Sequence, residues 1–402
     1  MGICSVFGCG LVVLGHLCIV AAALLHCIER SGFSDRRMES IDMASCDQLY
    51  RLVCLPASGV RVASTAAGAV GRWRCSNRVA LAVPDATRKL NLAAALSAVE
   101  PCFEDPQVVI GLGLHRPMTE AELEPIASWN PIQHDPDACA PLTKNGIQIG
   151  EISQAILDAE WSMSIGVVEL HQYAGYSGGH KGVAVGCGGR DTILKLHSRA
   201  SIMSPGVEVG RINGNPFRQR IEELGEAARC YLALVYVPAA ECWVFGDPKA
   251  VVRAAASLVD PWEPWSSPVD GVRVRVPASK ARTLYQASRA ATYLSLSPRP
   301  VLRAGGTIVL EANLDEGLGS EEGFRRALTS SSPPWTTFLN DEEPQGAGAQ
   351  RAVVLALLAR QHRLVLCCND PRPFRTLGIE CVQEPPPWPI VEDPFNKLPQ
   401  LR

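Results

Sequence analysis

The stretch Ser162-Met163-Ser164-Ile165-Gly166-Val167-Val168-Glu169-Leu170-His171-Gln172-Tyr173-Ala174-Gly175-Tyr176-Ser177-Gly178-Gly179-His180-Lys181 decides how the chain is read. Its apolar opening, residues 162–168, reads as a buried strand, and it breaks at once into polar residues and glycines. After Gly186-Cys187-Gly188-Gly189, residues 191–200 read as a helix capped by Asp191. Strand, polar loop and helix form the unit of an α/β fold, and the unit recurs outward. A strand over 78–83 runs into Pro84-Asp85-Ala86-Thr87-Arg88 and a helix over 91–99. A strand over 107–112 runs into His115-Arg116-Pro117 and a helix start capped by Thr119. Pro216 opens a helix to about residue 229, before a strand over 231–237. The fold class is therefore α/β with a doubly wound sheet.

Residues 260–271, with three Pro and two Trp, read as a linker. Beyond it a strand (272–276), helix (280–293), strand (307–310), helix (321–328) and late strand (362–368) make a second, smaller α/β domain. The expected parts are an apolar extension (1–42), a large first domain (43–262), the smaller domain (271–375) and a Pro-rich tail (376–402). The tail is read as irregular chain packing back on the first domain. Residues 331–348 read as a loop.

Of the 402 residues 47% are hydrophobic and 20% charged, which suits a folded core and excludes general disorder. A formal net charge of −3 and 6% aromatics give no basic surface or stacking platform for nucleic acid. The 15 cysteines are scattered without a C-x-x-C pair, which speaks against a disulfide framework or zinc ribbon and for a reducing, cytoplasmic setting. The apolar run 11–28 is at the lower edge of a membrane span, lacks a basic segment before it and contains His16 and His26. It reads first as an extension with a misassigned start, Met38 and Met43 being alternatives, so no membrane association is expected; a real anchor and a poorly formed signal are the other readings.

In open α/β sheets ligands bind beyond the carboxyl ends of the strands. Three polar clusters stand there: 85–88, His115-Arg116 and 169–181. The glycines of the third can bring backbone N–H groups close to an anion, with the helix from Asp191 facing the same group. On that helix His197 lies four residues after Ile193, on the inward face, where it is a core histidine or a metal ligand. Gly175-Tyr176-Ser177-Gly178-Gly179 also fits the G-x-S-x-G nucleophile elbow, a hydrolase alternative using Ser177 with Asp191 and His197.

These segments, with Gly113-Leu114-His115-Arg116-Pro117-Met118-Thr119-Glu120, Tyr285-Gln286 and Gly305-Gly306-Thr307-Ile308, resemble the nickel-pincer-nucleotide-dependent lactate racemase family over about residues 75–330. The resemblance implies two α/β domains with the active site in the cleft between them. It implies a cofactor, the nickel-pincer nucleotide, in which a modified pyridinium mononucleotide holds nickel, and partner enzymes that make it. By motif, Lys181 resembles the lysine joined to the cofactor and counted with the metal site, and His197 the protein ligand of nickel. His115 and His171 resemble the paired acid/base histidines. Asp85, Ala86, Thr87, Arg88, Ser177, Gly178 and Gly179 resemble cofactor contacts. Arg88, Tyr285, Gln286 and Arg289 resemble the contacts to a small 2-hydroxy acid substrate.

The implied activity is racemisation or epimerisation of that acid. Its C2–H is not acidic, so inversion proceeds by removing a hydride while a base takes the hydroxyl proton, and histidines suit that task near neutral pH. The alternatives are the Ser177 hydrolase and a non-catalytic paralogue. The chain departs from the family pattern at Lys89, Leu170 and Val185, where Pro is common, at His180, and at Arg289 in place of Lys. The 115–171 interval is also short, with the missing residues expected near 137–146.

Overall fold

The computed structural model describes residues 60–71, 78–88, 90–330, 346 and 348–402. The apolar run 11–28, Lys89 and most of the loop 331–348 lie outside the described residues. Eighteen strands are β1 Val60–Ala63, β2 Val79–Pro84, β3 Gln107–Gly111, β4 Ile132–Gln133, β5 Cys139–Lys144, β6 Ile147–Ser153, β7 Trp161–Val167, β8 Leu170–His171, β9 Gly175–Tyr176, β10 Cys230–Val237, β11 Cys242–Gly246, β12 Trp262–Trp265, β13 Val269–Arg275, β14 Leu302–Glu311, β15 Arg363–Cys367, β16 Glu380–Val382, β17 Ile390–Glu392 and β18 Leu398–Leu401.

Seven of them form the first sheet, in the order β1-β11-β10-β7-β2-β3-β4. From β10 to β4 every pair is parallel, while β11 and β1 run antiparallel at one edge. Its central strands are buried on both faces, as parallel strands covered by helices are, β2 as a continuous apolar run and β7 with Ser162 and Ser164 buried among apolar residues. Val79, Ala80, Leu81, Ala82 and Val83 are all buried, as are Met163, Ile165 and Val167. The chain leaves β2 toward β3 and β4, then returns to β7 on the other side of β2. The strand order thus reverses between β2 and β7, and such a switch point opens a crevice at the carboxyl ends.

The second sheet is wholly parallel, in the order β16-β15-β14-β13-β17. The helices Leu284–Ser295 and Gln350–Gln361 are buried along most of their length. Both sheets belong to one compact unit. The lobes are tied directly: Tyr293 Oη donates to Leu170 O (2.9 Å), and Thr292 Oγ1 lies 3.1 Å from Gln172 Oε1.

Several expectations need correction. The helix expected over 191–200 is two helices, Arg190–Leu196 and Arg199–Ile202, the second restarted by Ser198 as cap. Gly189, not Asp191, is the N-cap of the first. The helix expected from residue 280 starts at Leu284, because the Thr283 side chain accepts from Gln286 N and fixes the boundary there. The Pro-rich tail is not irregular: it supplies β17 to the second sheet and β18, which pairs with β12 inside the expected linker. Pro264 is tolerated there because that ribbon has only two strands.

Candidate active site

Three loops that leave adjacent strands at the switch point carry the polar clusters. After β2, Asp85 is buried and its Oδ1 accepts from Thr87 N (3.1 Å) and Thr87 Oγ1 (2.5 Å). After β3, His115 places Nδ1 2.7 Å from Asp85 Oδ2. Burial alone would raise the Asp85 pKa, but the hydrogen bond and charge of His115, helped by Thr87, hold it below its ordinary value. An ionised carboxylate only accepts, so Nδ1 of His115 carries the hydrogen and Nε2 keeps its lone pair. The His115 side chain is 54% exposed, and a cavity of about 170 Å³ opens beside it. Arg88 reaches Glu169 Oε2 at 3.4 Å, joining the loop after β2 to the loop after β7.

The loop after β7 is built differently. His171 is buried, and its Nδ1 accepts from the backbone N–H groups of Tyr173 (3.3 Å) and Ala174 (3.1 Å). A nitrogen that accepts two N–H groups bears no proton, so the hydrogen of this ring sits on Nε2. Burial, then the charges of Lys181, Arg289 and Arg88, push the His171 pKa well below 6.5. The helix Pro216–Ala227 grips the loop: Asn215 Nδ2 donates to Tyr173 O (2.7 Å), and buried Arg218 donates to Ala174 O (3.2 Å) and to Tyr176 O. Gly178 (φ 81°) and Gly179 (φ 61°) let the chain pass between β7 and the helix Pro248–Ser257. A Cβ there would lie 2.7 Å from Val168 Cγ2 and from Pro248 O respectively.

Lys181 opens the short helix that follows. Burial, with the charges of Arg88, Arg218 and Arg289, lowers its pKa to about 7, so a large share of the amine is uncharged and nucleophilic near neutral pH. His197 donates Nδ1–H to Ile193 O (2.9 Å), which leaves the Nε2 lone pair available. Burial lowers its pKa to about 4, so it stays a neutral donor atom for a metal. Tyr173 and Phe217 pack edge-on against its ring. No group of three or more His, Cys, Asp or Glu side chains among the described residues could hold a metal by itself. Any metal at His197 would therefore have to bring other ligands with it.

From the second lobe, Gln286 and Arg289 share a face of the helix Leu284–Ser295, with Arg289 Nη1 3.3 Å from Gln286 Oε1. The tyrosine ring of Tyr285 stacks edge-on with Phe324. Arg289 adds to the positive field at His171 and Lys181.

Two sequence readings fail here. The N-terminus of the helix after Gly189 does not face an anion site, since Gly189 N donates to Glu151 O and Arg190 N to Pro136 O. Ser177 is not a nucleophile held by a triad. Its Oγ donates to Val167 O (2.7 Å) and accepts from Glu169 N (2.9 Å), Asp191 is exposed, and His197 Nδ1 is bonded to Ile193 O. The sequence reading also missed Gln172, Tyr173, Arg218 and Arg351. Arg351 is buried and donates Nη1 to Gln172 Oε1 and to Thr292 Oγ1, each at 3.0 Å. The available signal was a single arginine opening the apolar run 352–358.

Residues 71–210 match the family model described as lactate racemase N-terminal domain. The lactate racemase of Lactiplantibacillus plantarum is 23% identical over 244 residues, 57% of this chain and 56% of that protein. The chain thus matches about half the length of this curated relative. Among solved structures, the lactate racemase apoprotein of Thermoanaerobacterium thermosaccharolyticum superposes with a TM-score of 0.70, at 16% identity, over 87% of this chain and 96% of that one. A Thermotoga maritima protein superposes with a TM-score of 0.61, at 15% identity, over 84% and 96%. Residues 71–210 are thus similar to the lactate racemase N-terminal domain, and the fold of the chain is that of the lactate racemase apoprotein.

Proposed function

We propose that this protein is an isomerase, a racemase or epimerase of a small 2-hydroxy acid, working with a nickel-pincer nucleotide carried on Lys181. The observation that carries the proposal is the pairing of a depressed-pKa lysine with a neutral histidine whose Nε2 lone pair is available. The lysine suits covalent attachment of the nucleotide, and His197 suits ligation of its nickel. Among the described residues no side-chain group forms a metal site by itself, and a metal that arrives with its own carbon and sulfur ligands would need only one such ligand as His197. When bound, the group would supply a hydride acceptor for the C2 centre of the substrate.

The chain supplies the rest. Arg88 and the 85–88 and 177–179 loops line the cofactor. Arg289, with Gln286 and Tyr285 on the same helix, holds the substrate carboxylate, and a guanidinium offers it a two-point contact. His115 takes the hydroxyl proton on Nε2, while Asp85 fixes the tautomer and stabilises the imidazolium that forms. His171 faces the opposite orientation of the substrate and donates a hydrogen bond from Nε2. Full proton exchange at His171 requires its ring to release the Tyr173 and Ala174 N–H groups when ligands bind.

The eight cysteines of the described residues are free thiols, and no described helix is long and apolar enough to cross a membrane. Both fit the cytoplasmic setting we assign. Neither nucleic acid nor a membrane enters the proposal.

The test is intact-protein mass after co-production with the cofactor-making enzymes. A nucleotide adduct on Lys181, lost in Lys181→Ala, with about one nickel per chain and racemisation of a 2-hydroxy acid by chiral chromatography, supports it. Fluorophosphonate labelling of Ser177 without nickel would instead restore the hydrolase. A confirmed adduct with no acid racemised would leave a non-catalytic paralogue.

A further inference from the structure

Arg351 stands in the first turn of the helix Gln350–Gln361 and is only 3% exposed. Its two recorded acceptors, Gln172 Oε1 and Thr292 Oγ1, are neutral. Its Nε is buried and has no hydrogen-bond partner. Its guanidinium carbon lies 6.0 Å from the centre of the Tyr285 ring, one of the proposed substrate contacts. Among the described residues no carboxylate forms an ion pair with it. The acid that acts on it, Glu321, does so only through space.

Arg289 likewise meets no described carboxylate, only Gln286, the Tyr293 side chain and the face of Phe395. Each guanidinium lies in the field of the other, and burial together with the Arg289 charge lowers the Arg351 pKa. Beside them the Tyr173 hydroxyl is buried and also unpartnered. Buried cations are normally paired, because desolvation of an unpaired charge is unfavourable. Two neighbouring guanidiniums and an idle hydroxyl in one place describe a receptor for two anionic groups.

We infer that the substrate is a 2-hydroxydicarboxylate: Arg289 binds the carboxylate next to the hydroxyl, and Arg351 with Tyr173 binds the second. This deepens the function proposed above and rests on it for the identity of the 2-hydroxy acid. The competing account makes Arg351 only a strut that holds Gln172 and joins the lobes. A strut needs the two hydrogen bonds but not the selectivity for a second carboxylate.

Calorimetric titration of the purified protein, with and without cofactor, separates these accounts. The probes are single enantiomers of 2-hydroxypropanoate and 2-hydroxybutanedioate. The dicarboxylate should bind at least about tenfold more tightly, the size expected of one added charge-assisted contact. Arg351→Gln should abolish that preference. Thr292→Val removes one hydrogen bond of Arg351 but not its charge, and should retain it. Should Arg351→Gln not fold, Arg351→Lys decides, because an ammonium cannot reproduce the planar fork and must weaken the preference. Equal affinity for both acids, absence of binding by either in both forms of the protein, or a preference that survives Arg351→Gln overturns the inference. Absence of an adduct on Lys181 sinks the cofactor reading alone, whereas an adduct with a monocarboxylate preference sinks the dicarboxylate alone.

Discussion

His115 and His171 leave neighbouring parts of one sheet, yet their surroundings are opposite. His115 is more than half exposed and gives its Nδ1 hydrogen to a buried carboxylate. His171 is buried and turns its Nδ1 lone pair to two backbone N–H groups of its own loop. The first ring can accept and return a proton at Nε2 without disturbing anything else. The second can become an imidazolium only by giving up two hydrogen bonds and accepting a charge among Lys181, Arg289 and Arg88. A pair of histidines read as equivalent from the sequence is thus one exposed ring with an open Nε2 lone pair and one donor built into the backbone. This asymmetry is set by the loops and not by the side chains themselves.

The largest expected effect is on turnover. His115→Ala and His171→Ala should each lower racemisation by about 10²–10⁴-fold, the usual worth of a positioned acid or base. Mass spectrometry should still find the adduct on Lys181 in both variants. Near-full activity in His171→Ala would break the pairing and leave His115 as the sole proton carrier.

Stability should separate the two variants. His171→Ala strands the buried Tyr173 and Ala174 N–H groups and should cost about 1–3 kcal/mol in denaturant unfolding. His115→Ala removes an exposed ring while Asp85 keeps its Thr87 contacts, so its cost should stay below about 1 kcal/mol. Equal losses would mean that the His171 loop is not held as described.

Acid titration sharpens the comparison further. Burial lowers the pKa of His171, and lowers His180 and His197 to about 4. Below 6.5 the unfolded chain therefore binds more protons than the folded one. Stability is complete above about pH 6.5 and falls as pH drops, by at most about 1.4 kcal/mol per pH unit for each histidine. Asp85 has the same sign but a lower window. Its folded pKa lies below 3.8, so its contribution is lost only as pH falls through that lower value. An unfolding midpoint measured from pH 7 downward should start to fall near 6.5. A curve flat down to about pH 5 would show that these buried rings titrate like exposed ones.

The parallel strands and the loops after them were legible because a buried parallel strand is an unbroken apolar run, and its end is marked by abrupt polarity. Residues 79–83 are of that kind, and 107–111 and 161–167 are mostly apolar with Gln107, Ser162 and Ser164 as exceptions, so the Asp85, His115 and Glu169 clusters fell at the carboxyl ends of strands as read. The hairpin of β5 and β6 was missed although Asn145-Gly146, both with positive φ, is the dipeptide such a turn favours. The helix Gln350–Gln361 was missed because it is apolar on most sides and lacks a side-chain cap. With it went Arg351, whose partners Gln172 and Thr292 lie 179 and 59 residues away in sequence. Tautomers were out of reach for the same reason, since they depend on atoms that only folding brings together. The glycines were seen, and at 178 and 179 the structure adds a packing reason for them, since a Cβ there would meet Val168 and Pro248.

The smallest effect on turnover should come from Ser177→Ala, and its smallness is informative. In a hydrolase this hydroxyl would be the attacking group, and its loss would end activity. Here Oγ spans the loop that carries His171, donating to Val167 O and accepting from Glu169 N. Alanine leaves one buried carbonyl and one N–H with a partner fewer. Ser177 N still donates to Glu169 O (2.9 Å) and holds the same turn. The expected loss is about 1 kcal/mol of stability, the net worth of an ordinary hydrogen bond. Racemisation should fall only as far as His171 shifts with its loop, well short of the loss in His171→Ala. If Ser177→Ala matches His171→Ala in both rate and stability, the hydroxyl and not the Tyr173–Ala174 backbone sets the position of the buried ring. The contrast between the two histidines would then rest on a side chain.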